Sequence, residues 1–193
     1  MTESSPTLSL FMVLLGSKAP NRNVEQHDFF FGIATGLKEL VPAMKAFWPE
    51  AGNSIHIDGW RRITRVDGFE IRVSERNSDE ILSSEKKLFF INLGGYLSGR
   101  LEEQHYTVLS VNDDRLQAIR DAKKTVFFKT NTLKGTAGSH IDEKYGIDVD
   151  DIYRVEDILG DAFKQKYRIQ ITESSDQQED EIMLGYLLLN KIR

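Results

Sequence analysis

The sequence predicts an α+β fold made of two like units, and three observations predict it. The first is repetition. Leu10-Phe11-Met12-Val13-Leu14-Leu15-Gly16 returns as Leu88-Phe89-Phe90-Ile91-Asn92-Leu93-Gly94, and at the same offset of 78 Arg22 meets Arg100 and Glu25-Gln26-His27 meets Glu103-Gln104-His105. These are eight identities over the 18 positions 10 to 27, where average residue usage gives about one. Secondly, each copy joins strand-type runs to one segment with helical apolar spacing. Thirdly, 193 residues with 40% hydrophobic and 28% charged content suit one substantial core or two small ones.

Taken in order, residues 1–7 are polar and read as a mobile start. Leu8 to Leu15 is an apolar run of strand length. A loop with Gly16, Pro20 and two Asn follows, then a second strand around Asp28 to Ala34. Leu37, Leu40, Val41, Met44, Phe47 and Trp48 recur at i, i+3, i+4, i+7, so a helix presents that stripe to the sheet. Pro42 removes one backbone donor and predicts a short or kinked helix. Ser54 to Asp58 reads as a short strand, and Trp60 to Val66 with Phe69 to Val73 as a hairpin around Asp67-Gly68, a pair suited to positive φ. Residues 75–86 are a polar connector.

The second unit repeats the plan. Asn112 or Asp113 can cap its helix, Asp114 suits the first turn, Leu116, Ile119, Ala122 and Val126 supply the apolar stripe, and Lys123 and Lys124 suit the C-terminal end. Asp148, Asp150 and Asp151 form an acidic stretch before Ile152 to Leu159, a segment open to strand, short helix or both. Tyr167 to Thr172 and Met183 to Lys191 read as strands around the acidic loop 173–181. The chain is thus expected to be internally duplicated into two pseudo-equivalent β-β-α-β-β-like units, 8–76 and 87–193, the latter with the C-terminal strands. Their sheets are mixed or antiparallel and share one core, since each half needs the other to finish it.

Composition bounds the function. A net charge of −5 and a pI near 5.5 oppose an electrostatic grip on nucleic acid or anionic lipid, which needs clustered Lys and Arg. With no cysteine there are no disulfides, thiolate nucleophiles or Cys-ligated metal centres, in keeping with a reducing compartment. Leu8 to Leu15 lacks the positive flank of a signal peptide, and its counterpart lies in mid-chain, so the protein is expected to be cytoplasmic and soluble.

Two constellations could carry chemistry. Arg-x-x-Glu-Gln-His occurs as Arg22, Glu25, Gln26, His27 and again as Arg100, Glu103, Gln104, His105. Guanidinium, carboxylate, amide and imidazole together can orient a carboxylate or phosphate ligand; the structural alternative is an Arg–Glu pair that folds the loop, with Gln and His satisfying its backbone. His56-Ile57-Asp58 returns as His140-Ile141-Asp142 at an offset of 84. On a strand, i and i+2 share a face, so each Asp can orient its His, and two such pairs could serve as general base and acid. Alternatively, each is a strand-end His whose Asp caps the next turn. The spacing of these His and Asp residues matches no compact metal motif, so no metal or other cofactor is expected. The glycines of Gly94-Gly95 and the acidic stretches 148–151 and 173–181 read as loop.

Leu-Gly-Ser with Glu-Gln-His-Asp at 15–28, His-Ile-Asp-Gly-Trp at 56–60, Val-Asp-Gly-Phe at 66–69 and Asn-Leu-Gly-Gly-Tyr at 92–96 resemble a small bacterial family classed as a domain of unknown function, number fifteen-forty-three. The resemblance extends to the run at 140–151 and implies two tandem copies; it implies no activity and transfers no catalytic residue. A looser similarity is to the two-histidine phosphoesterases, in which His56 and His140 would take the motif positions. Asp58 and Asp142 stand where that family has a hydroxyl, and an anion there repels phosphate.

These observations predict a non-enzymatic ligand- or protein-binding module, with partner unknown and edge strands able to pair two copies as a homodimer. The alternative is a hydrolase or phosphoesterase using His56, Asp58, His140 and Asp142.

Overall fold

The computed structural model describes residues 7–76, 85–96, 101–124, 147–176 and 178–192. The chain divides into two compact units; the first has two antiparallel sheets and the second one, and each unit carries one main helix.

The first unit opens with β1 (Ser9–Ser17) and β2 (Gln26–Ala34), continues through α1 (Leu37–Phe47) and a kinked 3-10 segment (Pro49–Ser54), and runs on into β3 (His56–Ile63), β4 (Arg65–Val66) and β5 (Phe69–Glu75). Much later the chain returns to it with the short helix α4 (Asp161–Lys166), β9 (Tyr167–Glu173) and β10 (Met183–Leu188). One sheet has the order β10-β3-β1-β2 and a smaller one β4-β5-β9, all antiparallel. The central strand β1 is apolar on both sides. Phe11, Val13 and Leu15 join Phe30, Leu40, Met44 and Ile57 in a buried cluster under α1, while Leu10 and Met12 are buried on the opposite face. Pro42 lies inside α1 without ending it.

Two short predicted strands, 54–58 and 60–66, are one continuous strand, β3. Its end is marked by Thr64 instead, where Asp180 accepts bonds from Thr64 N (2.7 Å), Thr64 Oγ1 (2.5 Å) and Arg65 N (2.9 Å). Asp180 belongs to the acidic stretch read from sequence as loop, yet its side chain is only 9% exposed because it satisfies these backbone donors. The hairpin at Asp67-Gly68 forms as expected, with φ of 53° and 79°.

The second unit contains β6 (Lys87–Tyr96), β7 (Glu103–Asn112), α2 (Arg115–Ala122) and β8 (Ile147–Arg154), with sheet order β7-β6-β8; a one-turn helix, α3 (Val155–Ile158), follows β8. Phe89, Ile91 and Leu93 pack with Ala118, Ala122 and Ile152. Asp114 caps α2 through Gln117 N (2.9 Å), one residue later than the sequence suggested. Leu116, expected in the apolar stripe, is exposed, and Ala118 takes the buried position. Val126 lies outside the described residues.

Strand registers repeat between the units at the sequence offset of 78. Ser9 pairs with Ala34 and Gly16 with His27, as Lys87 pairs with Asn112 and Gly94 with His105. The C-terminal strands depart from the expected boundaries. β9 pairs with β5 and β10 with β3, so both belong to the first unit rather than closing the second.

Candidate functional site

The polar end of the first sheet gathers four predicted residues. Gly16 on β1 stands opposite His27 on β2 and His56 on β3. Between Leu14 and Leu15 the β1–β3 register slips, with Leu14 opposite Gly59 and Leu15 opposite Ile57, which leaves Asp58 as the extra residue of a β-bulge. A bulge re-aims the side chain it carries, and here Asp58 turns toward the imidazole two residues before it. His56 Nε2 lies 3.4 Å from Asp58 Oδ1 and 2.6 Å from Glu25 Oε1, while Asp58 Oδ2 lies 3.1 Å from His27 Nε2.

His56 is 4% exposed, and Nδ1 sits 2.8 Å from the Ser54 carbonyl. That carbonyl can only accept, so Nδ1 carries a proton, and the other ring nitrogen, Nε2, faces the two carboxylates. Ser54 is itself held by its hydroxyl, 2.6 Å from that of buried Ser17 on β1 and 2.8 Å from the Ala51 carbonyl. The 2.6 Å approach of Glu25 is not a hydrogen bond. Neither His56 Nε2 nor Asp58 Oδ2, both fully shielded from solvent, has a partner in acceptable geometry. Two carboxylates and an imidazole nitrogen therefore converge at one buried point.

Space for this convergence depends on Gly16. A Cβ there would stand 2.3 Å from Asp58 Oδ2, 2.6 Å from His56 Nε2 and 2.9 Å from Glu25 Oε1. On the other side, β10 bulges between Leu184 and Leu187, with Gly185 at φ 147°, where only glycine is at ease. That bulge carries Tyr186 over the ring of His56 at a centroid distance of 4.2 Å.

The second unit has a related cluster with different chemistry. Asn92 pairs with Asp151 and Leu93 with Val149, so Asp150 is the bulge residue of β8, as Asp58 is of β3. His105 Nδ1 lies 3.3 Å from Asp150 Oδ2, and Glu103 Oε2 lies 3.9 Å from Nε2. Asn92 Nδ2 approaches both His105 Nδ1 (3.3 Å) and Asp150 Oδ2 (3.4 Å), so an amide donor is within reach of imidazole and carboxylate alike. At the matching position of the first unit stands Leu14, which has no donor to give. His105 is also half exposed, unlike His56.

The register corrects one expected equivalence. The backbone position opposite Gly94, as His56 is opposite Gly16, is Asp148. Asp148-Val149-Asp150 thus takes the place that the 84-residue offset assigned to His140-Ile141-Asp142. His140, Asp142 and Arg100 lie outside the described residues. Arg22 makes no ion pair with Glu25, whose carboxylate turns to His56. Gln26 bonds the Val24 carbonyl within its own loop, and Gln104 lies on β7 opposite Gly95 without joining the cluster. Sequence reasoning missed Asp150 and the two glycines. A glycine inside an apolar strand signals a bulge or a close approach, and Gly16 and Gly94 both end such runs.

The second unit also has an open cavity of about 520 Å³, away from Glu103, His105 and Asp150. Lys87, Arg115 and Arg154 line it beside Asp114, Asp151 and Asp157, so its charges offset one another.

Fold and site together define an α+β protein of antiparallel sheet-and-helix units, with a buried imidazole set between carboxylates at one sheet end. Residues 22–73 match the family model DUF1543, a Domain of Unknown Function. The matched stretch contains Glu25, His27, His56 and Asp58 and lies in the first unit; the second tandem copy expected from the sequence is not part of it. A crystal structure of the protein Il1583 from Idiomarina loihiensis is similar over 95% of this chain and 99% of that one, with a TM-score of 0.60 and 22% identity, a likeness of fold. No curated protein matches the chain. Among the described residues, no helix is long and apolar enough to cross a membrane.

Proposed function

We propose that the protein is a binding module that holds a small cation at the polar end of its first sheet, rather than a hydrolase working through paired histidines. One observation carries this reading: His56 Nε2, buried and without a hydrogen-bond partner, faces the carboxylates of Glu25 and Asp58. Buried polar groups are satisfied almost without exception, and each orphan calls for a missing partner. Since two of the three converging groups are carboxylates, that partner is positive. The net charge of −5 favours its approach. A general base must instead reach a substrate proton, and His56 lies beneath Tyr186 with 4% of its surface open.

Thermal unfolding of the full chain in a panel of divalent metal chlorides and small ammonium salts tests this. At least one cation should raise the midpoint, by an amount equivalent to about 2.7 kcal/mol at a hundred times its Kd. Replacing Glu25→Gln and Asp58→Asn together should abolish the response and stabilise the cation-free protein, because the repulsion is gone. A wild-type midpoint indifferent to every cation of both kinds would refute the proposal.

A further inference from the structure

We infer that the cation is a divalent first-row transition ion such as zinc, bound by Glu25, His56 and Asp58, with His27 as the positioning residue behind Asp58. This rests on the cation-binding reading and narrows it by geometry. Tetrahedral coordination at 2.0–2.1 Å spaces ligand atoms about 3.3–3.4 Å apart. An ammonium donating to acceptors at about 2.9 Å would space them about 4.7 Å apart. In this site the ligand atoms of Glu25, His56 and Asp58 all lie within 4.8 Å of one another, and His56 Nε2 is 2.6 Å and 3.4 Å from the two carboxylates. The separation from Asp58 equals that between ligands around a metal ion, the one from Glu25 is shorter still, and both are too tight for an ammonium group carrying carbon.

Ligand type points the same way. An imidazole lone pair favours zinc, iron, nickel or copper over magnesium and calcium, which take oxygen alone. Nδ1–H on the Ser54 carbonyl is the outer contact that fixes a ligating histidine's tautomer. Two carboxylates balance a charge of +2, and three protein ligands leave one position for solvent or a further donor. His27 Nε2 stands 3.1 Å from Asp58 Oδ2, without hydrogen-bond geometry and on the oxygen turned away from the His56 contact, and is the side chain assigned here to position Asp58. Gly16 leaves the volume into which the three ligands converge. The second cluster, Glu103, His105 and Asp150, also has its ligand atoms within 4.8 Å of one another, but there Asn92 offers an amide donor to imidazole and carboxylate where the first unit has Leu14, so the metal is assigned to the first unit.

Zinc chloride and cobalt(II) chloride added to the full chain are the probes, with magnesium chloride and methylammonium chloride as comparisons. Zinc should move the ¹⁵N resonance of His56 Nε2 while Nδ1–H persists, and cobalt should give the visible absorption of a nitrogen–oxygen site of low coordination number. His56→Asn and Glu25→Gln should each weaken zinc binding by about 100-fold or more, whereas His105→Asn should leave it within about twofold. If methylammonium stabilises the protein and zinc leaves the His56 resonance in place, cation binding stands and the metal assignment falls. If no probe acts, both fall. If His105→Asn alone removes zinc binding, the site is in the wrong unit. Should a variant prove unfolded by circular dichroism, the wild-type His56 resonance decides: an unmoved Nε2 overturns the assignment.

Discussion

Gly16 is the residue on which the site turns. It ends an apolar strand, and its missing Cβ is the space used by His56, Asp58 and Glu25. The two carboxylates can swing away from an added methyl group, but the imidazole is held by Ser54 on one side and Tyr186 on the other. Gly16→Ala should therefore cost the metal-free protein about 1–3 kcal/mol by overpacking and remove its stabilisation by zinc. Denaturant titration with and without zinc measures both effects. Gly94→Ala, whose Cβ would meet Asp150 of the second cluster first, should leave the zinc response intact; loss of the response in both variants alike would point to a site shared by neither glycine. The candidate residues were legible in the sequence at this scale, since Glu25, His27, His56 and Asp58 all stood in the repeated motifs. Their grouping was not. Proximity along the chain pairs Glu25 with Arg22, whereas in three dimensions its carboxylate lies against His56.

At the scale of elements, two acidic side chains act as end pieces. Asp180 binds the backbone N–H groups of Thr64 and Arg65 where β3 stops. Hydrogen bonds to a charged acceptor in a buried place are worth more than neutral ones, so Asp180→Ala should lower stability by about 2 kcal/mol, measured by chemical denaturation. The N-cap of α1 is Gly36, which has no side chain to offer, and Glu39 compensates by accepting from Thr35 N and Oγ1. Those bonds, the hydroxyl first, hold the Glu39 carboxyl below the ordinary glutamate range. A group with a depressed folded pKa contributes stability above its unfolded value and loses it as pH falls through the folded value. The thermal midpoint of the wild type should exceed that of Glu39→Gln at pH 7, and the difference should shrink to nothing as pH falls below about 4. A difference that is constant with pH would rule out the carboxylate's role. Helix and strand types followed from periodicity, and so did the Asp67-Gly68 turn. The bulges at Asp58, Asp150 and Gly185-Tyr186 did not, because a bulge is a property of two paired strands and only one of them is local.

For the molecule as a whole, the chain's late return to the first unit is the main consequence of tertiary pairing. β9 and β10 supply edge partners to β5 and β3, and Leu189 completes the buried cluster under α1. Ending the chain at residue 157 should expose two unpaired strand edges and open that cluster. The truncated protein should lose its cooperative thermal transition and self-associate, as read by calorimetry and light scattering; a truncated chain melting like the whole would show that β9 and β10 are ornaments. Apolar runs and the amphipathic stripes determined the strands and the helix each unit carries, because burial of apolar side chains is a local pattern repeated along the chain. The repeat determined which residues recur at 78. Which strands pair, which unit receives the C-terminal segment, and that His56 finds Glu25 beneath Tyr186 were decided only in three dimensions. Strand pairing joins residues more than a hundred positions apart, and short-range periodicity carries no record of the partner.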